Sequence, residues 1–320
     1  MTGAQEERHI PSFEKIDYRV RPAKQIERKM IAESLGRLAR HQSMDKYTYL
    51  GMGSIAFIDF SLFHRLLGIN KMISVEREDN VERATFNRPF DCIEIRAGNI
   101  SDVLSTMIFD TPMIIWLDYD EKINKRMFSD IKDCATRLPV GSVLLITINA
   151  DSGLRPLKEF NAVKARLGER FGRKFNPANL AGDGYGDVLR KLFEDEIAAC
   201  VHDRNGAQQD VDKIKITQWM NFSYKDGARM RTCGWLIDHK AGDSILEKCE
   251  MKKLSTYSGG SAPIVIAPPV LTPAEVRHLN AQLPCTGNTV PRCPGVIERE
   301  RVAYSRLYRH FPAYFEVTEA

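Results

Sequence analysis

The sequence predicts a doubly wound α/β domain closed by an antiparallel hairpin. Two observations carry this. Five short runs, YTYLGMG, KMISVE, CIEIR, PMIIWLDYD and VLLITIN, are apolar on both faces and alternate with segments of helical length, the pattern of a parallel sheet covered on both sides. Further on, KIKITQWMNFSY and RMRTCGWLI flank Lys225-Asp226-Gly227-Ala228, and Asp-Gly between two strand-like runs is a hairpin signal.

Taken in order, residues 1–20 read as a loose arm. A helix should open at Arg21-Pro22, since proline suits a first turn, and run to about Arg40. Ile26, Met30, Ile31, Leu35 and Leu38 share one half of its wheel, which makes it amphipathic. Its start, RPAKQIERK, gathers four cations. They read as a solvated basic face or as a segment facing anions or carboxylates. The strand YTYLGMG ends in glycines and leads to a helix over SIAFIDFSLFHRLL. GNISDVLSTM follows the third strand, and a helix from about Asn124 to Leu138 follows the fourth. Gly141-Ser142 opens the fifth. Residues 155–205 read as two or three helices around the loop NPANLAGDGYG. After the hairpin come the linker STYSGGSAP, a strand-like PIVIAPP, a helix from Thr272-Pro273 and a helical segment near 298–310. The division is an arm and helix over 1–45, a main domain over 46–256 with a helical insertion at 155–205, and an extension over 257–320.

The chain has 320 residues, 43% hydrophobic and 28% charged, with a net charge of +4. That composition excludes disorder of the whole chain and permits, without indicating, a nucleic-acid partner. Seven cysteines are widely spaced with no C-x-x-C pair, so neither a zinc site nor a disulfide framework is readable. Reduced thiols point to a cytoplasmic location. No apolar stretch reaches membrane-spanning length, so no membrane association is expected. The polar start MTGAQEERHIPSFEK does not read as a signal peptide.

Two constellations could hold a ligand. Gly51-Met52-Gly53-Ser54-Ile55-Ala56 fits G-x-G-x-x-G/A between a strand and a helix, where glycines let backbone approach a ligand. Glu76, at the end of the next strand, could accept hydrogen bonds from both hydroxyls of a ribose. The same residues would also serve a plain turn and a surface acid. Ala97-Gly98-Asn99-Ile100-Ser101-Asp102 could read an adenine edge, or could be an ordinary turn capped by Ser101 or Asp102. Asp59 falls in an apolar sector of its helix and needs a partner if buried; Arg21, Lys24 and Arg28 are the candidates. Asp118, Asp120, Asn149 and Asp151 follow the fourth and fifth strands. Such hard oxygen ligands suit magnesium, but Asn149 and Asp151 are not adjacent, and the metal-free reading is preferred.

The order LGMGS, ISVE, AGNI, LDYD and a closing hairpin resembles the class I S-adenosylmethionine-dependent methyltransferases, whose Rossmann-like sheet ends in an antiparallel hairpin. The wider pattern RPAKQIERK, YLGMGSIAFIDF, WLDYD, FSYKDGARMRTCG is similar to bacterial proteins described as O-methyltransferases. The resemblance implies S-adenosylmethionine as cofactor. Gly51, Gly53 and Ser54 would border its methionine and ribose, Glu76 would hold the ribose, and Asn99 and Ile100 would meet adenine. Asp118 would lie beside the methyl-donating end, with Asp118 or Asp120 as the acid that deprotonates or orients an acceptor hydroxyl. Ala56 replaces the third glycine of the usual loop. The prolines expected after the fourth strand of a base N-methyltransferase are missing, which argues against that activity though not against RNA or DNA as a substrate; the resemblance implies an oxygen acceptor of unknown class. The 155–205 helices would wall the acceptor side, with 176–186 as a lid.

Two rivals remain at this level. One is a non-catalytic module of this fold that binds a partner protein or nucleic acid in a multi-gene bacterial system, docking through the C-terminal extension. The other is a dinucleotide oxidoreductase, disfavoured by the hairpin.

Overall fold

The computed structural model describes residues 21–312 except 154, 207 and 287–288; the expected N-terminal arm lies outside the described residues. One eight-stranded sheet organises the chain. Its strands are β1 (Thr48–Met52), β2 (Lys71–Glu76), β3 (Ile93–Ala97), β4 (Met113–Asp118), β5 (Val143–Asn149), β6 (Ile214–Lys225), β7 (Arg229–His239) and β8 (Ile264–Ile266). Their order is β3-β2-β1-β4-β5-β7-β6-β8. Strands β1 to β5 pair in parallel. β7 pairs antiparallel to both β5 and β6, and β8 pairs parallel to β6. Only β7 therefore runs against the rest. The strand order reverses between β1 and β4, the place beyond whose carboxyl strand ends open α/β sheets bind their ligands.

Alternate residues of each strand serve opposite layers. On one face Tyr49, Trp116, Leu145, Phe222 and Leu236 pack in one core cluster with residues of helices α1 (Pro22–Gly36) and α2 (Ile58–Leu67). On the other face Leu50, Ile115, Leu117, Ile146 and Trp235 share a core with α4 (Ile100–Thr106), α5 (Lys125–Arg137), α6 (Pro156–Leu167) and α8 (Gly184–Gly206). Two short helices, α3 (Val81–Asn87) and α7 (Glu169–Lys174), lie between these elements in the chain.

The C-terminal extension is built into the first of these layers. β8 lengthens the sheet with Phe222 opposite Ile264. A one-turn helix α9 (Ile245–Lys248) precedes it, and α10 (Pro273–Asn280) and α11 (Glu298–Leu307) follow. Thr272 caps α10 in a reciprocal pair with Glu275. Tyr304, Leu307 and Phe311 enter the core that α1 covers. His310 Nε2 lies 3.0 Å from Glu33 Oε2, and Lys29 donates to the carbonyl of Phe311 at 2.6 Å.

Three boundaries differ from the sequence reading. α2 starts at Ile58 instead of Ser54, because Phe57 takes a left-handed conformation, φ 45°, that interrupts the run. α3 was not expected at all; its only buried residue is Ala84, too little for an apolar stripe. In the expected lid, Asn176 caps the 3₁₀ turn Pro177–Leu180, and Leu180 and Tyr185 are fully buried. The segment is anchored at both points.

Candidate active site

The glycine loop lies directly over the end of β2. Gly53 donates its N–H to the carbonyl of Val75 at 3.0 Å. A Cβ on Gly53 would stand 1.8 Å from Glu76 Oε1 and 2.1 Å from Ser74 Oγ, so only glycine allows this approach. Gly51 plays a similar part for Tyr49: a Cβ there would come within 2.6 Å of its hydroxyl. That hydroxyl donates to Asp59 Oδ2. Asp59 thus finds its partner on β1, and none of the α1 cations expected for it is used. Ser54 is half-buried, and its carbonyl accepts from Phe57 N–H at 3.1 Å, closing the turn.

Glu76 is 4% exposed. Its Oε1 accepts from Ser74 Oγ at 3.0 Å, and no other side-chain hydrogen bond reaches this carboxyl among the described residues. Burial pushes it up to about 7; the Ser74 bond opposes this and the charge of Asp59 adds to it. A buried carboxyl with unused lone pairs is short of donors, and the two hydroxyls of a ribose would supply them.

Gly98, at φ 124°, donates to the carbonyl of Glu76 at 2.8 Å and ties the third strand's loop to the same place. Asn99 is the N-cap of α4: its Oδ1 accepts from Asp102 N–H at 3.1 Å, and its Nδ2 donates to the Asp102 carboxylate. The cap is therefore Asn99, earlier than the Ser101 or Asp102 expected. Ile100 is 5% exposed and packs with Leu50, Ile73 and Val75.

A second cluster forms where α1 meets the ends of β4, β5 and the hairpin. Lys24 Nζ lies 2.9 Å from Asp118 Oδ2 and 2.8 Å from Glu27 Oε2. It also sits 4.5 Å from the centre of the Trp116 ring and 5.4 Å from that of Tyr224, close enough for cation–π attraction. The Lys24 and Glu27 side chains are buried, whereas that of Asp118 is 30% exposed. Trp116 Nε1 donates to Thr147 Oγ1 at 2.9 Å, Thr147 and Thr232 share a 2.7 Å bond, and Thr232 donates to Glu27 Oε1. Burial raises the Glu27 carboxyl, and the Lys24 charge opposes it. Asp226, from the hairpin turn, accepts the N–H groups of Ala23 at 3.0 Å and Lys24 at 2.8 Å, and Arg21 Nε lies 3.9 Å away. Of the two readings of the basic start of α1, Arg21 and Lys24 bear out the one that faces carboxylates, whereas Lys29 meets the carbonyl of Phe311.

The remaining acids separate. Asp120 is exposed, with no hydrogen bond or ion pair among the described residues. Tyr119 between them is buried and donates to Asp130 at 2.7 Å. Asn149 Oδ1 accepts from Asp151 N–H at 3.1 Å, and Asp151 accepts from Gly153 at 2.8 Å and Arg229 at 3.4 Å. The Gly153 bond leads in holding the Asp151 carboxyl low. Both residues shape the turn after β5. Among the described residues, no group of three His, Cys, Asp or Glu side chains is placed to hold a metal ion. Sequence reasoning missed Lys24, Glu27, Tyr224 and Asp226 as parts of the site; the one signal was the run of cations opening α1.

A family described as "Putative O-methyltransferase" matches residues 16–319. The chain belongs to that family. It is a methyltransferase by family, and S-adenosylmethionine is its expected cofactor. No curated protein matches it in sequence. Among solved structures, it is similar to the N-methyltransferase NodS from Bradyrhizobium japonicum WM9, at 13% identity over 67% of this chain and 97% of that one, TM-score 0.38. Trm1 from Pyrococcus horikoshii, in complex with S-adenosyl-L-methionine, matches at 12% identity over 71% of this chain and 57% of that one, TM-score 0.45. The mitomycin 7-O-methyltransferase MmcR matches at 12% identity over 64% and 53%, TM-score 0.35. No helix among the described residues is long and apolar enough to cross a membrane.

Proposed function

We propose that this methyltransferase acts on an oxygen of its acceptor, held between α1 and the carboxyl ends of β4 and β5. The observation that carries the reading is Asp118. It ends β4 beside the glycine loop's strand, it keeps part of its surface open, and Lys24 fixes its carboxylate at 2.9 Å. S-adenosylmethionine supplies a methyl group on a sulfonium, which an acceptor oxygen takes by in-line displacement.

The chain's own residues divide the remaining work. Gly51, Gly53 and Ser54 border the methionine and ribose, and Glu76 accepts from the ribose hydroxyls. Asn99 and Ile100 mark the adenine end; Asn99 must release one of its two bonds to Asp102 to read the base. Asp118 orients the acceptor hydroxyl or takes its proton, with Asp120 as the second candidate. Most of the catalysis is positioning and exclusion of water, which suits a corner built from buried Lys24, Glu27, Trp116 and Tyr224. The residues beyond 257 and the helix before 46 act as walls of this domain.

The test is calorimetry with S-adenosylmethionine, S-adenosylhomocysteine and NAD, followed by transfer of labelled methyl to paired hydroxyl and amine acceptors. Binding of the first two and transfer to hydroxyls after exhaustive chelation is the expected outcome. Transfer to amines alone, or binding of NAD alone, overturns the reading.

A further inference from the structure

We infer that helix α5 fixes the adenine end of the cofactor site relative to the acceptor, with Asp130 as the positioning residue that ties Ser101, in the turn at that end, to Tyr119, the neighbour of Asp118. This deepens the methyl-transfer reading above and rests on it.

Asp130 is 1% exposed. Its Oδ1 accepts from Ser101 Oγ at 2.5 Å, and its Oδ2 accepts from the Tyr119 hydroxyl at 2.7 Å. Ser101 is the second residue of α4, directly after Asn99 and Ile100. Tyr119 follows Asp118 out of β4 and is buried, and its N–H donates to the carbonyl of Thr147 on β5 at 3.0 Å. Successive residues of an extended chain point to opposite faces. Asp118 accordingly meets Lys24 of α1, while Tyr119 meets Asp130 of α5. One carboxylate thus holds a residue beside each half of the proposed site.

A second set of contacts makes α5 a splint for α4. Arg137 lies two turns beyond Asp130 on the same face of α5. It donates to the carbonyls of Leu104, at 2.8 Å, and Met107. With seven residues, α4 is too short to hold its own helix, so its place comes from what it packs on. Ile100, Leu104 and Ile131 share one buried core. Burying a carboxyl is costly unless hydrogen bonds offset it. Burial pushes the Asp130 carboxyl up, and the bonds from Ser101 and Tyr119 oppose this. What it adds over an apolar side chain is direction: two oxygens accept from hydroxyls on separate elements. Methyl transfer in line needs donor and acceptor held in one fixed relation, and small misplacements cost much of the rate.

Calorimetry of the full chain with S-adenosylhomocysteine, beside thermal unfolding, tests this without a known acceptor. The variants are Tyr119→Phe, Ser101→Ala, the two combined, and Asp130→Asn. Tyr119→Phe removes one oxygen from a residue outside the adenine turn. It should still weaken S-adenosylhomocysteine binding by about three- to tenfold, the size of coupling between residues of one hydrogen-bond network. Ser101→Ala should do the same. The combined variant should weaken binding by less than the product of the two, since both act through Asp130. Asp130→Asn can bond both hydroxyls through its amide and should stay within about twofold of the wild type. A bond that only supports the fold would lower the melting temperature and leave the affinity alone. Unchanged affinity in Tyr119→Phe, or effects that multiply fully in the combined variant, would overturn the inference. The two readings fail differently: a wild type that does not bind S-adenosylhomocysteine sinks methyl transfer and this inference together, whereas a wild type that binds with Tyr119→Phe unaltered sinks this inference alone.

Discussion

The proposed cofactor side and the proposed acceptor corner are built by opposite means. The cofactor side is local and mostly backbone: two glycines, one buried acid and the turn at Gly98 lie at the ends of β1, β2 and β3. The acceptor corner is assembled from distant chain: Thr232 and Glu27 meet across 205 positions, and Asp226 and Ala23 across 203. Its parts are charged and buried, and each depends on another for its place. Changes on the cofactor side should therefore act on binding first, and on stability only through the buried carboxyl of Glu76. Changes in the corner should act on stability first.

The largest expected effect is in the corner. Lys24→Met leaves Glu27 and Asp118 without their shared cation, and breaking a buried pair in this way costs about 3–5 kcal/mol. Denaturant unfolding should show that loss while the far-UV spectrum keeps its α/β form. A loss below about 1 kcal/mol, the range of surface pairs, would make the corner no more interdependent than the surface.

Next comes a pH effect on the cofactor side. The Glu76 carboxyl titrates near 7 in the folded chain against 4.5 when free. The folded state thus holds the extra proton between these values, and stability falls as pH rises through that window and levels off above about 7. The contribution is about 3 kcal/mol at most. Glu76→Gln should remove it: relative to the wild type, the variant gains stability from pH 5 to pH 8. A difference that stays constant with pH would show that Glu76 is solvated. The smallest effect is the cap. Asp226→Ala should lose about 1 kcal/mol, within the usual range for an N-terminal cap, and an unchanged midpoint would detach the hairpin turn from α1.

The same contrast explains what was legible in the sequence. The parallel strands were readable because each is apolar on both faces, and the hairpin because Asp226-Gly227 punctuates it. PIVIAPP read as a strand, but its parallel pairing with β6 is a tertiary fact with no local sign. The loop at Gly51 and Gly53 and the acid Glu76 were readable because spacing along two consecutive strands fixes them. The start of α2 was misplaced since nothing in Ile55-Ala56-Phe57 announces a left-handed residue. Asp59 drew a wrong partner because Tyr49, ten positions earlier, reaches it only through the space Gly51 leaves. Lys24 could be read as part of a solvated face or of one turned onto carboxylates, and no local sign decided between them because Asp118 and Asp226 lie on β4 and in the hairpin turn, far along the chain. A buried charge is visible only once the chain that surrounds it is in place.

The central claim is that Glu76 and the glycine loop over it hold the ribose of S-adenosylmethionine. Titration calorimetry with S-adenosylhomocysteine, from pH 5.5 to 8.5, tests it most directly. Ribose hydroxyls favour the ionised carboxylate, so affinity should rise with pH below about 7, by up to tenfold per unit, and level off above it. Glu76→Ala should weaken binding by about 1.5–3 kcal/mol, the range for hydrogen bonds to a charged group, with the fold intact. Affinity that is independent of pH and unchanged in Glu76→Ala would contradict the account.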